Sequence, residues 1–76
     1  MVIQSVRFLK SKWPDKKAQI LWLRQNGYIH DYKGRNPQYT HYDSYRQIDP
    51  SAFMPGSFRT HKTLQGILYI YGKLRT

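Results

Sequence analysis

Only one stretch of this chain carries helical periodicity, and that limits the fold more than any other feature. Between about Pro14 and Gln25, the residues Ala18, Leu21, Trp22 and Gln25 recur at the spacing of one helix face, and Ile20 and Leu23 widen the apolar stripe. Trp13-Pro14-Asp15 reads as the start, because proline is tolerated in a first turn and an early carboxylate complements the positive helix end. Asn26-Gly27 reads as the stop, because both residues tolerate the left-handed backbone that a C-cap requires. The rest of the chain reads as strand and turn. Val2 to Leu9, Tyr28 to Tyr32, the Tyr- and Thr-rich Gln38 to Ile48, Phe58 to Thr60, and Ile67 to Tyr71 are the strand candidates. Lys33-Gly34-Arg35-Asn36-Pro37, Asp49-Pro50, Pro55-Gly56 and Leu64-Gln65-Gly66 supply the turns. These late connections are too short for helical crossovers, which need about a dozen residues. The expected fold is therefore α+β in the order β-α-β-β-β: a mostly antiparallel sheet of about three to five strands with one α-helix packed on one face.

With 76 residues the chain makes one small domain, residues 1–76. A chain of this size buries only ~60% of the surface its unfolded form exposes. It has no cysteine, so disulfides and thiolate metal sites are excluded as staples. Packing must supply the stability, and the aromatic fraction of 16% is its main source. The core candidates are Val6, Phe8, Ala18, Leu21, Trp22, Tyr45, Ile67 and Tyr69. Trp22 is assigned to the core in preference to a stacking role. Along the first strand, Val2, Gln4, Val6 and Phe8 are expected on one face, with Ile3, Ser5, Arg7 and Leu9 on the other. Gly72 is read as a bulge, and Lys73 to Thr76 as a frayed basic tail. The start of the chain lacks the apolar run of a signal peptide, and no stretch approaches the ~18 apolar residues of a membrane span. An intracellular, non-secreted small gene product with no membrane association is the expectation.

Charge is the strongest functional signal. Thirteen Lys and Arg face four acids, all Asp, for a net charge of +9 and a pI near 10.1. Residues 1–12 carry Arg7, Lys10 and Lys12, and residues 51–76 carry Arg59, Lys62, Lys73 and Arg75, with no acid in either segment. If the two ends of the chain pair as neighbouring strands, one surface becomes strongly positive and attracts polyanions. Tyr39, Tyr42 and Tyr45 recur every third residue in a segment read as strand, so Tyr42 must point opposite to the other two, on the side of Arg46. Cations beside an exposed aromatic suit phosphate contacts and base stacking. The contact candidates are Arg7, Lys10, Lys12, Arg46, Arg59, Lys62, Lys73 and Arg75, with Tyr42 as the stacker. The plainer alternative is that tyrosine covers a half-buried sheet and lysine and arginine keep a small protein soluble.

Catalysis has little support. His30-Asp31 and His41-x-Asp43 pair imidazole with carboxylate, but a general base needs a nucleophile or substrate pocket around it. His30, His41 and His61 repeat no metal-ligand spacing. No glycine pattern cradles phosphates, and no zinc finger, helix-turn-helix or basic zipper is present. No metal, cofactor or small-molecule substrate is expected.

Three segments together resemble a known family. Trp22-Leu23 followed by Asn26-Gly27-Tyr28 is similar to its helix end. Tyr45-Arg46-Gln47-Ile48-Asp49-Pro50 with Phe53 is similar to a strand end, and Ser57-Phe58-Arg59-Thr60 through Gly66-Ile67 to Gly72-Lys73-Leu74 to its final segment. The family is a small uncharacterised basic domain that stands alone in large DNA viruses and is fused to head-maturation proteases of tailed phages. The resemblance runs from about Val6 to Leu74, and departs at Ser44, where the family often has Arg, and at His61, which replaces a Lys. It implies a viral setting, in the virion or the infected cell. The expected function is non-catalytic, non-specific nucleic-acid binding, with DNA ahead of RNA. The alternative is a virion-assembly or protein-interaction module that recognises an acidic partner. Self-association as a homodimer, through the open sheet face or an edge strand, is compatible with both.

Overall fold

The computed structural model describes residues 1–34 and 36–75. The elements are β1 (Val2–Leu9), α1 (Lys16–Gln25), β2 (Tyr42–Arg46), a 3₁₀ turn (Pro50–Ala52), β3 (Arg59–Lys62) and β4 (Ile67–Gly72). The strands form one antiparallel sheet in the order β2-β1-β4-β3, with α1 packed on one face. The α+β expectation holds, and the two chain ends, whose pairing the sequence left as a condition, are the central neighbours β1 and β4.

The helix begins at an Asp15 cap, whose carboxylate accepts from Lys17 N at 2.9 Å. It ends in a Schellman motif. Tyr28 N donates to Leu23 O at 2.9 Å and Gly27 N to Arg24 O at 3.4 Å, with Gly27 at φ 80°. Between these caps the buried face differs from the expected one. Leu23 and Gln19 are fully buried, whereas Leu21 is 55% exposed and Ala18 is exposed. The cause is Gln19, a polar residue that apolar periodicity cannot count. Its amide donates to Trp13 O at 2.7 Å and to an Asp43 carboxylate oxygen at 2.9 Å, and accepts from the Tyr45 hydroxyl at 2.6 Å. These bonds turn the helix about one residue away from the Ala18–Leu21 stripe.

The core under the helix joins Val6, Phe8, Leu23 and Ile67, with Ile3, Trp13, Trp22, Tyr28, Tyr45 and Tyr69 packed around them. The Phe8 ring sits edge-on to Trp13, Trp22 and Tyr45, with centroids 5.2, 5.7 and 5.6 Å away. Such pairs contribute ~0.5–1.5 kcal/mol each beyond the area they bury. Trp22 is thus a core residue, stacked parallel on Tyr28 at 5.9 Å. Ile3 reaches this face through an irregularity in β1. Ile3 pairs with Tyr71 but Ser5 pairs with Ile70, so Gln4 is an extra residue. The bulge therefore lies in β1 and not at Gly72, and it puts Ile3, not Val2, beside Val6 and Phe8. Gly72 is glycine for another reason: a Cβ there would come within 3.0 Å of both the Phe53 ring and Ser57 Oγ.

Two expected strands are shortened or absent. Tyr28–Tyr32 forms no strand, because the Gln47 side chain holds both the N–H and the carbonyl of Ile29 at 2.8 Å in place of a partner strand. The long strand Gln38–Ile48 contracts to Tyr42–Arg46, since β1 ends at Leu9 opposite Tyr42 and offers nothing further to pair with. The C-terminal residues are pinned, not frayed: Met54 N donates to Lys73 O at 2.8 Å and Arg75 N to Ala52 O at 2.9 Å. Arg35 of the expected turn and Thr76 of the tail lie outside the described residues.

Two outcomes test this packing. Leu23→Ala should lower the free energy of unfolding in urea by ~2–5 kcal/mol, while Leu21→Ala changes it by less than about 0.5 kcal/mol. Burial, and for Tyr45 also the Asp43 carboxylate, raises the hydroxyl pKa of Tyr45 and Tyr69 above 10.0. The folded chain then keeps protons that the unfolded chain releases. Their contribution is complete below pH 10 and falls as pH climbs through the raised values. Tyr45→Phe should flatten that alkaline loss in a series of melts at increasing pH.

Candidate functional site

The pairing registers place each cation expected from the sequence. On the sheet face opposite α1, Ser44, Arg7, Leu68 and Lys62 form one row across the four strands, and Arg46, Ser5, Ile70 and Thr60 form the next. Tyr42 lies on this face beside Leu9, half-buried. Arg7, Arg46 and Lys62 thus share a face. The remaining cations divide between its two ends. Lys10 and Lys12 follow the end of β1, whereas Lys73 and Arg75 follow the end of β4, which runs antiparallel to it. Eight residues of strand separate these ends by about 25 Å. Arg59 belongs to the second end. The termini therefore form two basic ends joined by a basic face, and not one compact patch.

Several of these cations also hold structure. Lys12 lies over Gly66, where a Cβ would come within 2.8 Å of its Cδ, and its Nζ donates to Leu64 O at 2.9 Å. Arg59 Nη1 donates to Phe58 O at 2.8 Å, and Arg75 Nε to Phe53 O at 3.0 Å. Neutral carbonyls leave the charge in place. Lys16 forms an ion pair with Asp43, at 3.9 Å. The aspartates are engaged elsewhere: Asp15 caps α1, and Asp49 caps the 3₁₀ turn through Ser51 N. That bond is the main cause holding the Asp49 carboxyl below its ordinary range, with Arg46 adding to it. Asp43 faces the helix side and is held by Gln19 and Lys16, away from any imidazole partnership with His41.

The face opposite the helix is not bare. Leu68 and Ile70 are only 7% and 8% exposed. The segments on either side of β2 fold over it and leave a cavity of about 280 Å³. Its lining includes Ser5, Arg7 and Arg46 from the sheet, Tyr39 and Phe58 from the covering segments, and Ile70. The Arg7 guanidinium carbon lies 4.5 Å from the Tyr39 ring centroid, and its Nη2 donates to the Tyr39 hydroxyl at 3.1 Å. Arg7 Nε and Ser5 Oγ are buried without a hydrogen-bond partner. Among the described residues no carboxylate lines the cavity. Sequence reading identified Arg7 and Arg46 but missed Ser5, Tyr39 and Phe58. Ser5 carried a signal, since it alternates with Arg7 on one strand face. The arrival of Tyr39 from an irregular segment carried none.

A second hollow, of about 170 Å³, lies between Lys16, Asn36, Tyr42 and Asp43. No cluster of three metal-ligating side chains occurs among the described residues. None of their helices is long and apolar enough to cross a membrane.

The fold and this surface define a class: a small basic α+β protein with a four-stranded antiparallel sheet, one covering helix and an arginine-lined cavity on the opposite face. Comparison with known proteins found no matching family model, no similar curated protein and no similar solved structure.

The unsatisfied Ser5 hydroxyl gives a direct stability test. A buried polar group left without a partner costs ~1–3 kcal/mol. Ser5→Ala should leave the urea midpoint of the ligand-free protein unchanged or raise it. A drop equivalent to more than about 1 kcal/mol would mean that the hydroxyl is hydrogen-bonded in solution.

Proposed function

We propose that this protein is a non-catalytic binder of nucleic acid that engages the phosphate backbone through its basic ends and the face between them. The observation that carries this reading is the distribution of charge. Thirteen cations face four aspartates, three of which serve helix caps or the Gln19 network. Two basic ends about 25 Å apart are separated by roughly three Debye lengths at physiological salt. A compact anion reaches only one of them. An extended polyanion reaches both, and duplex DNA presents a charge every ~1.7 Å along that path. The resemblance to a domain of large DNA viruses points to a genome as the polyanion, and puts DNA ahead of RNA and the virion or infected cell as the setting. Binding of this kind is non-specific, with Kd of order 10⁻⁴–10⁻⁶ M at physiological salt.

One feature favours a second reading. β3 pairs on one side only, with β4, and its four residues Arg59, Thr60, His61 and Lys62 are all exposed. Such an edge accepts an added strand, and its cations select an acidic one, from a virion protein or other partner.

Titration of unrelated duplex DNA and of RNA at two ionic strengths separates the readings. Nucleic-acid binding predicts that affinity falls about 10³-fold between 50 and 200 mM salt if about six phosphates are contacted. Charge reversal at Lys73 and Arg75 together, or at Lys10 and Lys62 together, should each reduce the salt slope. Absence of binding at 50 mM salt rejects this function and leaves the edge-strand partner.

A further inference from the structure

We propose that the cavity between the sheet and the Tyr39 segment is a binding pocket for the phosphate ester of a single nucleotide. The phosphate would be held by Arg7 and Ser5, with the nucleoside against the rings of Tyr39 and Phe58. The inference rests on the nucleic-acid reading for its polymeric source, a nucleotide within a strand. The pocket itself stands on separate observations.

The first is an unmet demand for an acceptor by two donors in one place. Ser5 is 1% exposed and its Oγ has no hydrogen-bond partner. Arg7 Nε, two residues along the same strand face, is in the same condition. Stable folds rarely leave buried polar groups unmatched, and two beside one cavity mark a place that a ligand completes. A phosphate oxygen accepts from both, and an arginine fork fits an oxyanion with paired donors better than a lysine does.

The second observation is the character of the walls. Arg46 lies directly across from Ser5 in the β1–β2 register, and both it and Arg7 line the cavity. The described lining holds no carboxylate that would repel an anion. Phe58, 37% exposed at the edge of the cavity, and Tyr39 give aromatic faces for a base. A volume of about 280 Å³ falls just below the ~300–1,000 Å³ typical of ligand sites, which suits one nucleotide and not a longer segment.

The third is the state of Arg7 without ligand. Its Nη2 donates to the Tyr39 hydroxyl and its guanidinium carbon lies over the Tyr39 ring. Tyr39 belongs to no strand or helix, so it can yield its place without breaking the sheet. The tyrosine hydroxyl stands where a phosphate oxygen would, and the incoming anion displaces it and opens Nε and Ser5 Oγ to the site.

Arginine Nε–H resonances, observed by ¹⁵N NMR on the full chain, read this out without reference to DNA. The probes are AMP, UMP, inorganic phosphate, adenosine and a short oligo(dT). Both mononucleotides should shift the Arg7 Nε–H signal in a saturable manner, phosphate more weakly, and adenosine not at all. Ser5→Ala should weaken AMP binding by about tenfold or more, with an unchanged fold as judged by backbone amide spectra. Arg7→Lys should do the same, and Tyr39→Phe should tighten binding by removing the competing hydroxyl. If Arg7→Lys fails to fold, Ser5→Ala and Tyr39→Phe still decide. A linear, unsaturated response at all cations alike, or equal AMP affinity in wild type and Ser5→Ala, overturns the pocket. Saturable AMP binding without duplex or oligo(dT) binding supports the pocket as a site for free nucleotides and rejects the polymer. Duplex binding with no AMP response does the reverse.

Discussion

A single buried amide sets how this small protein is assembled. Gln19 reaches the sheet at Asp43 and Tyr45 and the preceding turn at Trp13, all through one side chain with no group left unmatched. In a low-dielectric interior a fully satisfied network of this kind is strong and directional. Apolar packing alone would let a ten-residue helix roll on the sheet by a fraction of a turn. The amide removes that freedom, since every other rotation breaks these three hydrogen bonds and leaves the fully buried Gln19 amide unpaired. Trp22 and Leu23 then meet Phe8 and Ile67, and the Phe8 ring receives three aromatic edges. The aromatic core follows from the polar contact.

That hierarchy explains which parts of the fold were legible. Strong β-formers at Val6, Phe8 and Ile67, the Asn26-Gly27 stop and the short late connections were enough to give an antiparallel sheet under one helix. Each is a local signal with a local physical cause. The rotation of the helix was not legible, because hydropathy counts Gln19 as surface and has no way to see three partners from distant segments. The bulge at Gln4 was hidden for the same reason. Its extra residue is fixed by Gln47 and Ile48, which donate to Gln4 O at 2.8 and 3.3 Å from more than forty residues away. Side chains that impersonate backbone, such as Gln47 on Ile29, erase a strand whose composition still reads as one.

The candidate site divides along the same line. Charge at the chain ends is a property of composition, so the cations could be named in advance, and pairing of β1 with β4 brought the ends together. Their antiparallel direction then sent Lys10 and Lys73 to opposite ends, which no residue count reveals. The cavity is less legible still. Arg7 and Arg46 were visible as cations, but the enclosure depends on Tyr39, carried there by a segment without regular structure, and on Phe58 beyond the 3₁₀ turn. A surface that looked open in a one-helix fold is covered by chain segments whose sequence gives no strand or helix pattern.

The central position of β4 shapes how the molecule comes into being. The sheet's middle seam joins β1 to β4, the two strands farthest apart in the sequence, and among the described residues β3 has no neighbour other than β4. A chain in which β4 has not yet paired holds one side of β1 and the whole of β3 without partners, and its helix has half a floor to rest on. Cooperative collapse must therefore wait for β4 to dock between them, and long-range pairing of this kind is slow to form. During that interval the exposed strand edges are available to other chains. The cationic side chains on β3 then act as a shield, keeping like molecules apart by repulsion until the last strand is in place.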